Sequence, residues 1–239
     1  MANYVLVHGG WQGGWVFQKL ARQLRAAGHE VYAATLTGLG ERSHLVNMPI
    51  NLDTHITDVA NLVVFESLTN VVLVGHSYGG MVITGVADQL ADRIGALVYL
   101  DALVPEDGDT LLNLRPEYHA LFFEGAASGG GRLIAPKTAS DFDARAEFWP
   151  LIDANTTPHP LTCFTQALSL TGTHLRVKQR LYIYAKAGIF DGCYDRFRND
   201  EGARVEEIAE AGHSVMLDQP EEVCRILIDV AERIGNDFH

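Results

Sequence analysis

The pentapeptide Gly75-His76-Ser77-Tyr78-Gly79 places a serine between two glycines, directly after the apolar run 71–74 and just before the helical pattern 81–86. A serine in this strand-turn-helix context stands on a sharp turn, with its hydroxyl exposed at the edge of a sheet. Glycines suit the flanks of such a turn, because a Cβ there would crowd neighbouring backbone. The motif predicts that Ser77 is the nucleophile of an acyl-transfer reaction.

A serine hydroxyl is a poor nucleophile at neutral pH and needs a base within hydrogen-bond reach. Among ten histidines, His213 is preferred because its loop follows the last predicted strand and so emerges at the sheet edge that carries Ser77. His76, inside the motif, is expected to support the turn, and His8 to pack under the first loop. Since His213 must be neutral to accept a proton, kcat/KM should rise with pH and then reach a plateau, with an apparent pKa of about 6–7.

Two aspartates could orient the imidazole of this histidine. Asp101 directly follows the apolar run 96–100, which puts its carboxylate at the tip of a strand next to the nucleophile strand. A buried charge is costly unless it is paired, and an imidazolium forming on His213 would be such a partner. Asp191 follows the next strand and also satisfies the chain order serine, acid, histidine. We favour Asp101 and keep Asp191 as the alternative acid.

A tetrahedral intermediate also needs two backbone N–H groups that face its negative oxygen. One is expected from Tyr78, directly after the nucleophile. The other is expected from the loop His8-Gly9-Gly10-Trp11 after the first strand, where a glycine lets a backbone donor approach the substrate. Gly10 and Tyr78 are therefore the predicted oxyanion hole.

The elements that must position these groups alternate between short β-rich runs and longer helical patterns, as in βαβ units around a mostly parallel sheet. The length of 239 residues suits one large domain over 1–239. The sequence predicts an α/β fold, in which a mostly parallel six-stranded sheet has helices on both faces. The predicted strands are 4–7, 30–34, 71–74, 96–100, 181–185 and 204–208, and the predicted helices are 15–27, 54–66, 79–91 and 220–234.

Residues 105–178, between the fourth and fifth predicted strands, are far more than the usual connection of about 2–6 residues. This insertion contains many aromatic residues and a tract of three glycines. We interpret it as a small helical cap over the C-terminal edge of the sheet, where the loops of open α/β sheets build binding sites. The predicted substrate-binding residues are Trp11 of the first loop and Phe123 and Trp149 of the cap.

The composition argues against several classes of partner and cofactor. The net charge of −12 without a basic cluster argues against nucleic acid, and no apolar run approaches the roughly 18 residues of a membrane helix. The three cysteines have no C-x-x-C spacing, and the first residues do not show the pattern of a signal peptide. Both features predict a cytoplasmic protein. The loop 9–14 does not fit G-x-G-x-x-G, and neither G-K-[ST] nor H-E-x-x-H occurs, so no metal or organic cofactor is expected.

Together these motifs resemble the α/β-hydrolase superfamily. More narrowly, they resemble the branch of small plant methylesterases and hydroxynitrile lyases with their bacterial esterase relatives. The resemblance rests on the runs 5–15, 37–43 and 74–81 and on the pair Gly212-His213. It covers nearly the whole chain, more weakly from 110 to 178, and it is specific for the branch but not for a substrate.

Two departures from that branch bear on the chemistry. Its hydroxynitrile lyases have a lysine after the catalytic histidine, where this chain has Ser214, and this disfavours a lyase. Its plant members place their acid directly after the strand that matches 181–184, where this chain has no acid before Asp191. Its bacterial members are similar to this chain in having an aspartate at the position of Asp101, which supports that residue as the acid.

The sequence therefore predicts a serine carboxylic-ester hydrolase that acts on small hydrophobic esters through a Ser-His-Asp triad and an acyl-enzyme. A non-catalytic binder of a small ligand on the same fold is an alternative. A lactonase or a C–C bond lyase of the hydroxynitrile type would also suit the triad. The expected partner is a small-molecule ester, with neither nucleic acid nor a membrane, and the sequence leaves a homodimer open.

Overall fold

The computed structural model describes residues 1–185, 190–200 and 202–236. The strands in these ranges are β1 Asn3–Val7, β2 Glu30–Ala34, β3 Val71–Ser77, β4 Ile94–Ala102, β5 Leu133–Ile134, β6 His159–Pro160, β7 Gln179–Ala185 and β8 Ala203–Ile208. Six of them form one sheet in the order β2-β1-β3-β4-β7-β8, and every neighbouring pair in it is parallel. The predicted fold class is confirmed, and so are the six predicted strands, with ends shifted by at most three residues.

Alternate residues of the central strands belong to two separate cores. On β3, Val71 and Leu73 pack in the core on one face of the sheet, while Val72 and Val74 pack in the core on the other. All four side chains are completely buried, because helices cover both faces of a parallel sheet. This double burial explains why the central strands are continuous apolar runs in the sequence.

Five longer helices cover the two faces of the sheet. Helices α1 (Gln18–Ala26) and α10 (Pro220–Asn236) contribute to one core, and α2 (Leu52–Phe65), α3 (Gly79–Leu90) and α8 (Asp191–Arg198) contribute to the other. Within the described part of the chain, none of the helices has both the length and the apolar character that a bilayer crossing requires.

The four predicted helices are confirmed, with ends that differ by up to two residues, except that the first begins as a 3-10 turn over Gly14–Phe17. A capping box starts α2, because the Asn51 side chain accepts from Thr54 N (3.0 Å) and Thr54 Oγ1 accepts from Asn51 N (3.3 Å). Pro220 begins α10 and is followed by two glutamates that suit the first turn. The second signal agrees with the predicted start at 220, whereas the capping box at Asn51 places the start of α2 two residues before the predicted 54.

The predicted cap, residues 105–178, lies between β4 and β7. It contains the short helices α4 Leu111–Leu114, α5 His119–Ser128, α6 Trp149–Asn155 and α7 Thr162–Thr165, with 3-10 turns at Pro116–Tyr118, Ala139–Phe142, Ala146–Phe148 and Thr173–Arg176. It also contains an antiparallel ladder that pairs β5 with β6, which the prediction of a helical cap did not include. Two residues per strand are too few to leave an alternating pattern in the sequence. The short helix α9 (Val215–Asp218) lies beyond the cap, just before α10.

Hydrogen bonds tie the cap to two loops at the carboxyl edge of the sheet. In the loop after β1, Trp11 N donates to Nδ1 of His159 (3.1 Å), and Trp11 O accepts from Thr157 N (2.9 Å). In the loop after β8, Ser214 Oγ donates to Phe142 O (3.1 Å). The cap is therefore anchored on both sides of the sheet edge at which Ser77 ends β3.

The carboxyl end of β4 contains one irregular residue. His76 pairs with Leu100 and Ser77 pairs with Ala102, so Asp101 is an extra residue opposite the end of β3. Its φ of +42° lies in the left-handed region, which few residues other than glycine adopt. A bulge of this kind changes the direction of a side chain, and the Asp101 side chain is completely buried at this edge.

Candidate active site

Ser77 stands on a turn that only glycines permit. Its φ is +54°, a strained value for a residue with a side chain. A Cβ on Gly75 would lie 2.6 Å from Gly79 O, and a Cβ on Gly79 would lie 2.6 Å from Val7 O. A Cβ on Gly9 would lie 2.9 Å from Cβ of Ser77. The glycines on both sides of the serine and in the loop after β1 are thus required by close packing, and the Ser77 side chain lines a cavity.

His213 also lines this cavity and is bound to Asp101. Its Nδ1 lies 2.6 Å from Oδ2 of Asp101, and the other carboxylate oxygen, Oδ1, accepts from Ala185 N at 3.4 Å. An ionised carboxylate only accepts hydrogen bonds, so Nδ1 carries the proton and Nε2 is left as a basic nitrogen. The bond therefore fixes the tautomer in which the imidazole can act as a base.

Asp191, the alternative acid, lies elsewhere. It is exposed at the start of α8, and its carboxylate accepts a hydrogen bond from the Tyr184 hydroxyl. The structure thus brings Asp101 and not Asp191 into contact with His213.

Burial determines the electrostatics of the imidazole and its partner. The pKa of His213 is lowered, first by burial and then by the positive charges of Arg115 and Lys137. Burial raises the pKa of the Asp101 carboxyl, and its neighbours His76 and Ala185 N–H counteract that rise. His213 is therefore held neutral, which is the form that can accept a proton.

His76 supports the loop that carries the base. Its Nε2 donates to the backbone oxygen of His213 at 2.9 Å, and the two rings lie 4.5 Å apart between centroids. Burial lowers the pKa of His76 to about 3, so this ring is also neutral. The structure agrees with the predicted supporting role of His76, and extends it from the turn of Ser77 to the loop after β8.

The two predicted oxyanion donors lie at the same cavity. Gly10 and Tyr78 both line it, and in the described part of the chain neither of their backbone N–H groups has an acceptor. The neighbouring donors are occupied, since Gly9 N donates to Gln12 Oε1 (3.3 Å) and Trp11 N donates to His159 Nδ1. Two unsatisfied N–H groups beside Ser77 can stabilise a developing oxyanion.

Two residues that position this loop were missed by the sequence analysis. Gln12 and His159 are completely buried, and each accepts a hydrogen bond from a backbone N–H of the loop. His159 lies 148 positions from its partner Trp11 and comes from the cap, so no local pattern indicates the contact. Trp11 itself has a φ of +62°, and these contacts hold it in that strained conformation.

Aromatic side chains form most of the cavity wall. Trp11 makes edge-to-face contacts with Phe122, Phe142 and Phe164, at centroid distances of 5.6, 6.2 and 5.4 Å. The cavity is narrow, with a volume of about 50 Å³, and it is partly open to solvent. The residues that line it are Gly10, Trp11, Gln12, His76, Ser77, Tyr78, Leu111, Arg115, Tyr118, Phe122, Lys137, Asp141, Phe142, Phe164, Phe190 and His213.

Trp11 lines the cavity as predicted, but Phe123 and Trp149 do not, and we correct this part of the predicted pocket. Consecutive residues of a helix point about 100° apart, so on α5 Phe122 faces the core while Phe123 is 51% exposed. Trp149 is 41% exposed, and its indole N–H donates to Ala144 O within the cap. On α5, the aromatic residue that lines the cavity is Phe122, one position before the predicted Phe123.

His55, His159 and Cys163 are the only group, in the ranges that the structure describes, with three metal-type donor atoms within 4.8 Å of one another. Hydrogen bonds already occupy most of these atoms. His55 Nε2 donates to Thr37 O (3.0 Å), and its Nδ1 accepts from the Tyr78 hydroxyl (3.0 Å). Burial raises the pKa of the Cys163 thiol to about 12, whereas a metal binds the thiolate. We therefore assign this cluster to positioning Tyr78 and the loop after β1.

Five buried histidines make the fold sensitive to acid. Burial lowers the pKa of each, and for four of them the value is about 3 or 4; the five are His8, His55, His76, His159 and His213. The unfolded chain binds these protons below a pKa of about 6.5, so stability present above pH 6.5 is lost as the pH falls toward the folded values. Each group contributes about 1 kcal/mol between pH 6.5 and 5.5, because an unfolded histidine is already half protonated at pH 6.5, so the loss for five groups is about 5 kcal/mol.

We therefore expect urea unfolding to give a much lower free energy of unfolding at pH 5.5 than at pH 7.5. Replacement of the exposed His44 by glutamine is the matched control and should leave the dependence on pH unchanged. A free energy of unfolding that stays constant over this interval would show that the buried histidines are protonated in the folded state.

Comparisons with known proteins agree with this fold. The family model described as "Alpha/beta hydrolase family" matches residues 4–226. Over 242 residues the chain is 42% identical to the "Carbendazim hydrolyzing esterase" of Nocardioides sp. (strain SG-4G), which covers 95% of this chain and 98% of that protein. It is 29% identical over 259 residues to the polyneuridine aldehyde esterase of Rauvolfia serpentina, with 96% of each chain covered.

Solved structures show the same fold. An extracellular alpha/beta-hydrolase from a Paenibacillus species superposes with a TM-score of 0.83 at 22% identity, over 96% of this chain and 99% of that one. That hydrolase is described as sharing structural and functional homology with tobacco salicylic acid binding protein 2. The resemblance in the sequence motifs is therefore confirmed over nearly the whole chain, and the chain belongs to the alpha/beta hydrolase family.

Proposed function

We propose that this hydrolase is a serine esterase that cleaves small carboxylic esters with a triad of Ser77, His213 and Asp101. The observation that supports it best is the 2.6 Å bond between His213 Nδ1 and Asp101 Oδ2, beside the cavity that Ser77 and His213 line. An imidazole held by a carboxylate at Nδ1 is the arrangement that serine hydrolases use for their base. The relatives at 42% and 29% identity are both named esterases.

In this mechanism the chain's own side chains supply every proton transfer. Ser77 attacks the ester carbonyl while Nε2 of His213 takes its proton, and the Asp101 carboxylate stabilises the imidazolium that forms. The N–H groups of Gly10 and Tyr78 donate to the negative oxygen of the tetrahedral intermediate. His213 then gives the proton to the leaving alcohol, and a water activated by the same imidazole releases the acid from the acyl-enzyme.

The cavity suits a small substrate with an apolar part. Trp11, Phe122 and Phe164 are buried aromatic walls, and apolar walls with a few polar groups are typical of small-molecule sites. One relative is named for hydrolysing carbendazim, so carbendazim belongs in the first substrate panel beside short p-nitrophenyl esters and lactones.

Multiple turnover separates an enzyme from a non-catalytic binder on the same fold. We expect p-nitrophenyl acetate to release many equivalents of p-nitrophenol per chain, and the Ser77→Ala variant to release none above background. A yield that stops at or below one equivalent would support the binder instead. This experiment tests the esterase proposal directly.

A lyase of the hydroxynitrile type is less well supported than an esterase. The residue after His213 is Ser214, which is completely buried and donates its hydroxyl to Phe142 O. The position at which those lyases carry a lysine therefore offers no cation to the cavity. A cyanohydrin in the substrate panel tests this second reaction, and we expect no cleavage.

The pH profile should differ from that of an unperturbed histidine, because burial, Arg115 and Lys137 lower the pKa of His213. The sequence alone predicts a limb near about 6–7, whereas the structure moves the acidic limb of kcat/KM below 6.5. The Lys137→Met variant removes one of the two cations and should shift the limb upward. The profiles are measured over the pH range in which circular dichroism shows that the protein is folded. If the acidic limb stays at pH 6.5 in both wild type and Lys137→Met, the expected effect of the two cations on the pKa of His213 is contradicted.

The location and assembly of the protein stay predictions. Cys163, Cys193 and Cys224 are all buried free thiols, which agrees with the predicted reducing cytoplasm. We retain a small-molecule ester as the expected partner, without nucleic acid. Sedimentation analysis of the purified chain decides between a monomer and the homodimer that the sequence leaves open.

A further inference from the structure

Two cationic side chains of the cap line the cavity that also contains Ser77 and His213, and the ester mechanism gives neither of them a direct role. Arg115 lies between α4 and α5, and Lys137 lies after β5. Both lie over one aromatic ring, since Arg115 Cζ is 4.6 Å and Lys137 Nζ is 4.2 Å from the centroid of Tyr118. A chain with a net charge of −12 thus concentrates positive charge beside its nucleophile.

The guanidinium of Arg115 is only partly satisfied. Its Nε donates to the Glu117 carboxylate, and its Nη2 donates to the Tyr118 hydroxyl at 3.2 Å. Its side chain is only 14% exposed, and Nη1 is buried without any acceptor in the described residues. A buried guanidinium N–H without a partner is costly, and the planar fork of arginine is suited to carboxylates.

Lys137 lacks an anionic partner. It is partly buried, and no carboxylate in the described parts of the chain lies within 4.0 Å of its Nζ. The acidic residue nearest to it along the chain, Asp141, is exposed, and its Oδ2 accepts from Thr138 N (3.0 Å) and Thr138 Oγ1 (2.6 Å). Burial lowers the pKa of Lys137, which Asp141 partly offsets. The ammonium is therefore partly desolvated and forms no ion pair within 4.0 Å in the described residues, while the charges of Asp141 and Glu117 act on it from farther away.

We propose that Arg115 and Lys137 bind a carboxylate that the ester substrate itself carries. The preferred substrates are then anionic: half-esters of dicarboxylic acids, or esters whose alcohol part bears a carboxylate. A carboxylate has two oxygens, and a guanidinium and an ammonium that line the same cavity can both donate to it. This inference rests on the proposed esterase function and defines the substrate class of the same cavity.

The test compares anionic esters with neutral amides of the same length. The first pair is the p-nitrophenyl half-ester of adipic acid and its carboxamide, with the charge on the acyl side. The second pair is 4-acetoxybenzoate and 4-acetoxybenzamide, with the charge on the alcohol side. In at least one pair we expect kcat/KM for the anion to exceed that for the amide by about tenfold to a hundredfold, as for a hydrogen-bonded charge pair.

The preference for the anionic ester should depend on Arg115 and Lys137 and on no other cation of the cap. In Lys137→Met and Arg115→Met the ratio of the two kcat/KM values should fall to near one, while Lys137→Arg should retain most of it. Arg132→Met is the matched control, because Arg132 is an exposed cap cation that does not line the cavity and whose side chain donates to Asn47 O. If neither pair shows a preference in wild type, or if Arg132→Met lowers it as much as Lys137→Met does, the carboxylate site is wrong.

Binding to an inactive variant separates this inference from the esterase proposal. In at least one of the two pairs, the Ser77→Ala variant should bind the anionic ester at least tenfold more tightly than its amide, measured by calorimetry, and the Lys137→Met change in that background should abolish the difference. Hydrolysis of both members of each pair at equal rates would leave the esterase intact and overturn the carboxylate site. Absence of hydrolysis together with selective, Lys137-dependent binding of an anionic ester would overturn the esterase and leave the site.

Discussion

Replacement of Ser77 by alanine is expected to remove nearly all ester hydrolysis, by a factor of about 10⁴–10⁶ in kcat, and to leave the fold intact. His213→Ala should lose a similar factor, because nucleophile and base act as one unit and each is of little use without the other. The double variant should be no worse than either single variant. Initial rates with p-nitrophenyl acetate, together with circular dichroism and thermal unfolding of each variant, provide the measurement.

The same two substitutions, serine to alanine and histidine to alanine, at positions outside the cavity provide the controls. Ser128→Ala and His44→Ala remove the same atoms at exposed positions of the cap and of the turn after β2, and should keep wild-type rates. If a folded Ser77→Ala or His213→Ala variant kept more than about a hundredth of the wild-type kcat, the role assigned to that residue would be wrong.

Asp101→Asn is expected to lower kcat by about 10³–10⁴-fold. An asparagine amide can donate to Nδ1 and would favour the tautomer in which Nε2 carries the proton, so His213 could no longer accept one from Ser77. Because Asp101 is completely buried, the free energy of unfolding of the Asp101→Asn variant is measured together with the rates. The loss of activity is then calculated for the folded fraction of the variant only. KM should change far less than kcat, since the carboxylate contacts the imidazole and not the substrate.

Asp191→Asn is the matched change at the other candidate acid. Asp191 is exposed and accepts from Tyr184, so its amide variant should lose less than about tenfold in kcat. A larger loss for Asp191→Asn than for Asp101→Asn would transfer the acid to Asp191. Similar modest losses in both variants would mean that each carboxylate can replace the other.

The fold could be predicted because its strongest signals are local and repeated. The run 71–74 is apolar at every position since it is buried on both faces, and Pro220 shows where the last helix begins. The pair β5–β6 was not predicted, because each strand has two residues and is defined only by its partner. Patterns with a period need more residues than that to be visible.

The chemistry of the site could also be anticipated, but its walls could not. Ser77 ends a strand and His213 lies in a loop after another strand, and both positions at the sheet edge follow from the strand order, so their approach can be inferred from topology. Phe123 was chosen over Phe122 because a helix of mixed apolar residues does not show from its sequence which side faces the cavity. Contacts such as His159 with Trp11 join distant parts of the chain and leave no local trace.

Asp101 shows why the acid was the hardest residue to choose. Sequence places it at the tip of a strand, and regular strand geometry alternates side chains between the two faces. The structure adds an extra residue there, with a φ of +42°, and a bulge changes which way the side chain points. An irregularity of one residue has no signature in composition or periodicity, although it determines which carboxylate meets the histidine.

The anchoring of the cap on both sides of the sheet edge restricts the route by which a substrate can enter and leave. A rigid hinge motion of the whole cap would break the bonds of Trp11 with Thr157 and His159 and that of Ser214 with Phe142 in one step. Helix α5 is different, because in the described residues its side-chain hydrogen bonds stay within the cap. A movement of α5 alone would therefore leave the hydrogen bonds between the cap and the catalytic loops intact and would change only ring contacts such as that of Phe122 with Trp11.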